Sequence, residues 1–366
     1  MRLFMPVRLY CGKDCVAINA AEFAKLGNSC LIVCSPASAR LNGALNDVMA
    51  ALKAQDIRSA VYNGITPNPT VAVCISAAKI ARDSAADFIL GIGGGSAMDA
   101  AKAIAVFAAN AELEENGFYK KLWKNPPLPI ALIGTTAGTG SEVTMVSVLT
   151  DKAGHKHSIH DERLYASLAM GDPKYLATMP RGLTLSTGID AVSHCIESYF
   201  SEKADFFSRT YALDGVKRML KPLKEALHDG LTADLREEMY LGSIYGGLAI
   251  NMTGTCFPHN LGYYLTERFG IAHGTASAAF LKDLLQFEAE VNPAMTQELY
   301  SLIDTSEQEL FNLIDASVDL SGVRISMEEL NSILPRWQEN SSVKNTKGSI
   351  TLERIRLILS KFVQEA

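Results

Sequence analysis

The chain contains no run of about 18 apolar residues, so nothing in it is patterned to span a bilayer. It also contains no CxxC pair. Its seven cysteines (Cys11, Cys15, Cys30, Cys34, Cys74, Cys195, Cys256) are odd in number and scattered, which argues against a disulfide framework and fits reduced thiols in a cytoplasmic protein. The opening MRLFMPVRLY is broken by Arg2, Pro6 and Arg8 and lacks the apolar core of a signal peptide. No basic run with interleaved aromatics occurs, and the net charge is −6. Nucleic acid and anionic membrane are therefore not the expected partners. What is present is an ordinary globular balance, 48% hydrophobic and 20% charged. At 366 residues the chain exceeds what one core usually supports, so two domains are expected.

The first half alternates short apolar, β-rich runs with helical patterns. CLIVC, SAVYNG, DFILGIGG and PLPIALIGTT read as strands, with helices through NGALNDVMAALKAQ, VAVCISAAKIARDSA and Ser96 to about Ala109. Such alternation predicts a largely parallel sheet with helices on both faces. EVTMVSVLT, DKAG and HKHSI then read as a β-hairpin leaving that sheet. Within it Cys30 and Cys34 flank LIV as strand-core residues. From about Pro180 the patterns are helical: TLSTGIDAVSHCIESYF, residues 205–227, ADLREEMYLGSIYGGLAI, ISMEELNSILPRW as far as Pro335 allows, and LERIRLILSKFVQ. The expected architecture is an α/β domain over 1–180 followed by an all-helical domain over 181–366.

GIGGGSAMDAAKA (91–103) falls where a strand ends and a helix begins. Glycines admit a pyrophosphate close to the backbone, and the helix start offers free N–H groups and the favourable dipole end. Ser96 sits where a helix N-cap is expected. Three consecutive glycines exceed what a tight turn needs. This is not the usual GxGxxG of a first strand–helix unit. A second small-residue turn, TTAGTGSE (135–142), follows the next strand. Two such turns at the carboxyl ends of parallel strands suggest one extended ligand, a dinucleotide.

GIDAVSHCIES puts Asp190 and His194 four apart on a helical pattern, hence on one face. Alone, such a pair is an ordinary solvated contact. Its neighbours Ile189, Val192, Ile196, Tyr199 and Phe200 are apolar, however, and His259 and His273 lie in a weakly charged helical stretch. One carboxylate and three imidazoles make a four-ligand set suited to Fe²⁺ or Zn²⁺. His155, His157 and His160 spell HxHxxH, but on a strand the first two face away from the third, so they read as exposed hairpin residues. His228 reads as a helix C-terminal residue favoured by the dipole.

Taken in order, NGITPNPT, GIGGGSAMDAAKA, TTAGTGSEVT, TGIDAVSHCIESY and HNLGYYLTERFGIAHG resemble the iron-containing (group III) alcohol dehydrogenases over nearly the whole chain. The resemblance implies a dinucleotide-binding α/β domain followed by a helical metal-binding domain. It implies Asp190, His194, His259 and His273 as metal ligands, and Gly94, Gly95, Ser96 and Asp99 as the pyrophosphate loop. It also implies cofactor contacts from Thr135, Thr136, Thr139, Thr144 and Lys156. The activity implied is reversible oxidation of a small alcohol to an aldehyde or ketone, a divalent metal polarising the oxygen and hydride passing to nicotinamide in a cleft between domains.

The sequence departs from that family at two places. NAD-preferring members carry an acidic residue just after the strand read here as CLIVC. This chain has Ser35 there, then Ser38 and Arg40, hydroxyls and a guanidinium suited to a 2′-phosphate. NADP(H) is therefore expected over NAD(H). Many members also have a histidine four residues after the third ligand, and here that position is Tyr263. A proton-relay role there would fall to a phenol with an ordinary pKa of about 10, a poor base without help. Two readings compete with the alcohol dehydrogenase. One is a glycerol-dehydrogenase-like or sugar-phosphate-cyclase-like enzyme, though the ligand segments are nearly free of the basic residues a cyclase needs. The other is a non-catalytic nucleotide-binding or assembly protein, against which the intact ligands and glycine turns argue. A homodimer is the expected assembly by base rate.

Overall fold

The structure, a computed structural model, describes residues 3–228 and 230–364 and contains two compact units. The first takes in Phe4–Pro180 and Thr232–Tyr240, the second Arg181–Leu231 and the chain from Leu241 onward.

In the first unit six strands form one parallel sheet: β1 (Arg8–Cys11), β2 (Ser29–Cys34), β3 (Arg58–Tyr62), β4 (Phe88–Gly93), β5 (Ile130–Gly134) and β8 (Leu168–Gly171), in the spatial order β1-β8-β5-β4-β2-β3. β2, β4 and β5 are buried along their whole length, because helices cover both faces of a parallel sheet. The period of two is visible in the packing. Leu31 and Val33 of β2 join the core beneath the Val71–Asp83 and Gly95–Ala109 helices, whereas Cys30, Ile32 and Cys34 join the core on the other face with Leu45, Val48 and Leu52. β6 (Val146–Thr150) and β7 (Lys156–His160) form a separate antiparallel hairpin. The strands read from the sequence are all present. β1 and β8 were not among them, since RLYC and LAMG are too short for an alternating pattern to show.

The carboxyl ends of β4, β5 and β8 carry Gly93, Gly134 and Gly171 in register. A Cβ on Gly134 would lie against the Glu142 carboxylate, and one on Gly171 would enter the Tyr240 ring at 2.0 Å. The missing side chains thus make room for Glu142 and Tyr240, both buried, with the Tyr240 hydroxyl donating to Glu142 Oε1 at 3.0 Å. Arg236 donates to the Leu176 carbonyl at 2.7 Å. These contacts explain why Thr232–Tyr240 groups with the first unit, where a simple division at 180/181 had placed it in the second.

In the second unit the regular elements among the described residues are α-helices and short 3₁₀ turns, with isolated bridges joining Ser201 to Thr346 and Ile325 to Val363. The helices that matter for function are Arg181–Tyr199, Phe257–Phe269 and His273–Ala278. Pro335 does end a helix: Met327–Ile333 gives way to a 3₁₀ turn with proline in its first positions, as a residue without an N–H requires. Among the described residues no helix is long and apolar enough to cross a membrane.

Candidate functional site

Glycines bring the helical site together. The Phe257–Phe269 helix stops at Gly270, whose φ of 68° is the left-handed C-cap that glycine favours. Three residues later the chain starts the His273–Ala278 helix. A Cβ on Gly262 would lie 2.8 Å from the Ala276 backbone. One on Gly274 would lie 2.0 Å from the Ser186 carbonyl and 2.7 Å from Asp190 Cβ. Two absent side chains therefore let the short helix lie directly against both long ones.

The result is a convergence on one carboxylate oxygen. Asp190 Oδ1 is 3.4 Å from His259 Nε2, 3.9 Å from His273 Nε2 and 4.0 Å from His194 Nε2. Asp190, His259 and His273 offer ligand atoms within 4.8 Å of one another, the only such group among the described residues. His194 is not part of that trio; its ring stacks on that of His259 at 4.5 Å with 24° between the planes. Asp190 Oδ1 and His259 Nε2 are buried without a hydrogen bond to any protein group, a costly state unless something else satisfies them. Burial opposes ionisation of Asp190, but His194, His273 and His259 outweigh it and hold the carboxyl below its usual range. Burial likewise pulls His259 towards neutral, and Glu197 with Asp190 pushes it up instead, to about 10. Tyr263 is half-buried, its ring stacked on His273 at 5.6 Å between centroids.

Sequence reasoning missed Glu197. It is fully buried, with Oε1 2.5 Å from His259 Nδ1 and Oε2 accepting the Cys256 N–H at 2.8 Å. Its signal was present, three residues after His194 and seven after Asp190 on the same helical face. His155, His157 and His160 are exposed on the hairpin as expected, with His157 Nε2 3.0 Å from Asp151. His228 lies just past a helix end, its N–H donating to the Glu225 carbonyl.

In the first unit the two small-residue turns touch. A Cβ on Gly94 would meet Thr136 Oγ1 at 2.7 Å, and one on Gly95 would meet Thr139 Cγ2 at 2.7 Å. The helix here runs Gly95–Ala109 with Gly94 as N-cap and no side chain capping it, so its leading N–H groups are available to an anion. Ser96 is therefore not the N-cap; it stands inside the first turn, and its hydroxyl accepts the Asn68 N–H at 3.3 Å. Asn68, also missed, accepts from Lys156 Nζ at 3.1 Å through its side chain. Gly95, Ser96, Asn68 and Lys156 thus form one partly open polar margin.

Thr135, Asp99 and Thr144 are enclosed instead. Asp99 accepts from Ser141 Oγ at 2.7 Å and the Val148 N–H at 2.9 Å. Beside it Lys102, fully buried, donates to Ser141 O, Ser141 Oγ and Val146 O at 2.8 Å each, and to Thr144 Oγ1 at 3.3 Å. Burial lowers Lys102 to about 8. Asp99 and Thr144 brace the second turn through this lysine; the structure does not present them at its surface. At the end of β2 the Ser35 and Ser38 hydroxyls are hydrogen-bonded to one another, and Arg40 is exposed beside them.

Two family models match this chain: iron-containing alcohol dehydrogenase over residues 6–173, and the C-terminal part of the Fe-containing alcohol dehydrogenase family over 184–330. The chain belongs to the iron-containing alcohol dehydrogenase family. It has that family's two-part fold, an α/β unit with a parallel sheet and a helical unit. Alcohol dehydrogenase 4 of Schizosaccharomyces pombe is 33% identical over 76% of this chain and 66% of its own length. Long-chain-alcohol dehydrogenase 1 of Geobacillus thermodenitrificans is 33% identical over 76% of this chain and 71% of its own. The matched stretch thus spans just under two thirds of the yeast relative. A crystal structure of an iron-containing alcohol dehydrogenase from Thermotoga maritima superposes with a TM-score of 0.91 at 32% identity, covering 98% of both chains.

Proposed function

We propose that this protein interconverts small alcohols and their aldehydes or ketones, with hydride transfer to and from NADP(H) in preference to NAD(H) and a divalent metal, Fe²⁺ or Zn²⁺, held by Asp190, His194, His259 and His273. The observation that carries the metal reading is the gathering of three imidazole Nε2 atoms within 3.4–4.0 Å of Asp190 Oδ1. Two of the gathered atoms are buried and unsatisfied by protein. An N₃O set fits either ion. When bound, the metal supplies Lewis-acid polarisation of a substrate oxygen.

The chain's own residues do the rest. Gly94 and Gly95 bring the helix N-terminus and the Thr136–Thr139 turn to one edge, where backbone N–H groups and Lys156 hold phosphate charge. Lys102 and Asp99 keep that edge rigid from beneath. Tyr263, whose ring stacks on His273, is the residue assigned to carry the proton.

The cofactor preference rests on Ser35, Ser38 and Arg40, where no carboxylate is present to repel a 2′-phosphate. Initial rates with NADPH and NADH, for small aldehydes with Fe²⁺ or Zn²⁺ added in turn, test both halves. NADPH is expected to win, and Arg40→Ala is expected to lower kcat/KM for NADPH about 10-fold or more while leaving NADH little changed, one charge-assisted contact contributing roughly 1.5–3 kcal/mol. A wild-type preference for NADH refutes the cofactor assignment, and no turnover with either metal refutes the activity.

A further inference from the structure

From the geometry around His259 we infer that Glu197 is the positioning residue of the metal centre: it fixes the tautomer and orientation of His259 and anchors the helix start that carries it. The inference rests on the metal reading above and goes beyond the four ligands.

Three observations support it. Both oxygens of Glu197 are used, and for different ends. Oε1 lies 2.5 Å from His259 Nδ1, and Oε2 accepts the Cys256 N–H at 2.8 Å. An ionised carboxylate at Nδ1 favours the Nδ1–H tautomer, which leaves Nε2, 3.4 Å from Asp190 Oδ1, as the ligating atom. Secondly, Glu197 is fully buried on the same face of the Arg181–Tyr199 helix as Asp190 and His194. One rigid helix therefore carries two ligands and the group that aims a third.

Thirdly, the segment entering the His259 helix is held independently on its other side. Asn345 Nδ2 donates to the Thr253 and Thr255 carbonyls at 2.9 and 3.0 Å, its Oδ1 accepts from Ser201 Oγ at 2.9 Å, and Thr346 Oγ1 accepts the Phe257 N–H at 3.1 Å. The Cys256 thiol adds a contact to the Glu197 carbonyl at 3.2 Å. With the backbone clamped from both sides, the imidazole has little freedom except rotation of its ring, and Glu197 removes that.

The test is metal affinity, measured by competition of a chromogenic chelator for Co²⁺ or Zn²⁺ in wild type and Glu197→Gln. Glutamine keeps the size and an acceptor for the Cys256 N–H. The dissociation constant is expected to rise roughly 10- to 100-fold, with a change in the visible spectrum of the bound Co²⁺ and an unaltered far-ultraviolet circular dichroism spectrum. An unchanged dissociation constant overturns the inference, as does a loss of metal-free stability with unchanged affinity, the signature of a merely structural ion pair. Should Glu197→Gln fail to fold, ¹⁵N-histidine NMR of Zn²⁺-loaded wild type decides, with His259→Asn as the assignment control. A His259 signal with Nδ1 protonated and Nε2 metal-bound supports the inference; the opposite tautomer overturns it. Failure of wild type to bind metal at all is a separate result, which overturns the metal reading and this inference with it.

Discussion

Glu288 sits on the Leu281–Val291 helix with no exposed surface. Its Oε2 accepts Asn292 Nδ2 at 2.7 Å, and its Oε1 is buried without a hydrogen bond. Burial raises its pKa, and the Asn292 bond and Lys347 offset this only partly, so it settles at about 7 against an ordinary 4.5. An acid whose folded pKa is raised binds its proton more tightly folded than unfolded. Its contribution is therefore fully present below about pH 4.5 and is lost as pH rises through 7, the reverse of a salt-bridged carboxylate. The interval of about 2.5 units corresponds to roughly 3 kcal/mol at pH 8. Glu288→Gln removes the titration. Its thermal unfolding midpoint is expected to match wild type near pH 5 and to exceed it at pH 8 by roughly 6–12 °C if the helical unit melts as one body. Scanning calorimetry of both proteins at matched metal content from pH 5 to 8 gives the comparison, and the proposed metal ligands, common to both, cancel in the difference. Parallel pH profiles would refute the reasoning, since they would mean that Glu288 stays ionised in the fold.

Two further outcomes follow from contacts elsewhere. Lys102→Met preserves length but leaves Ser141 O, Val146 O and Asp99 without their buried cation; a loss of roughly 3–5 kcal/mol is expected in denaturant unfolding, with weaker cofactor binding by fluorescence titration, and wild-type stability would contradict the bracing role. Gly274→Ala places a methyl 2.0 Å from Ser186 O and 2.7 Å from Asp190 Cβ, so the protein is expected to lose about 1–3 kcal/mol and most of its bound metal by elemental analysis; full metal content at an unshifted melting temperature would show that the three helices need not approach so closely.

Much of the fold was legible because its signals are local. Val, Ile and Leu in runs bounded by glycine, proline, serine or asparagine mark β2, β4 and β5, and 3.6-residue periodicity marks the Arg181–Tyr199 helix. β1 and β8 escaped because four residues cannot display a period. The four proposed metal ligands were legible as types in apolar surroundings, yet Glu197 was not singled out, since a glutamate three residues after a histidine is ordinary on any helix. Ser96 was read as the N-cap because serine favours that position. The N-cap is instead Gly94, two residues earlier, where Gly94 and Gly95 meet Thr136 and Thr139 at distances that admit no Cβ.

By itself, then, the sequence determined most of the succession of strands and helices, the two glycine turns at strand ends and the presence of an N₃O donor set. Each depends on residue type and spacing within one or two elements. The tertiary structure alone decided which groups are enclosed and what they touch. Asp99 and Thr144 turn inward to Lys102, Tyr240, far along the chain, lies over Gly134 and Gly171 of its own unit, and Glu197 meets His259 across 62 residues of chain. The physical reason is that burial and pairing of a polar group are set by what long-range packing brings against it. Spacing along the chain carries no record of that.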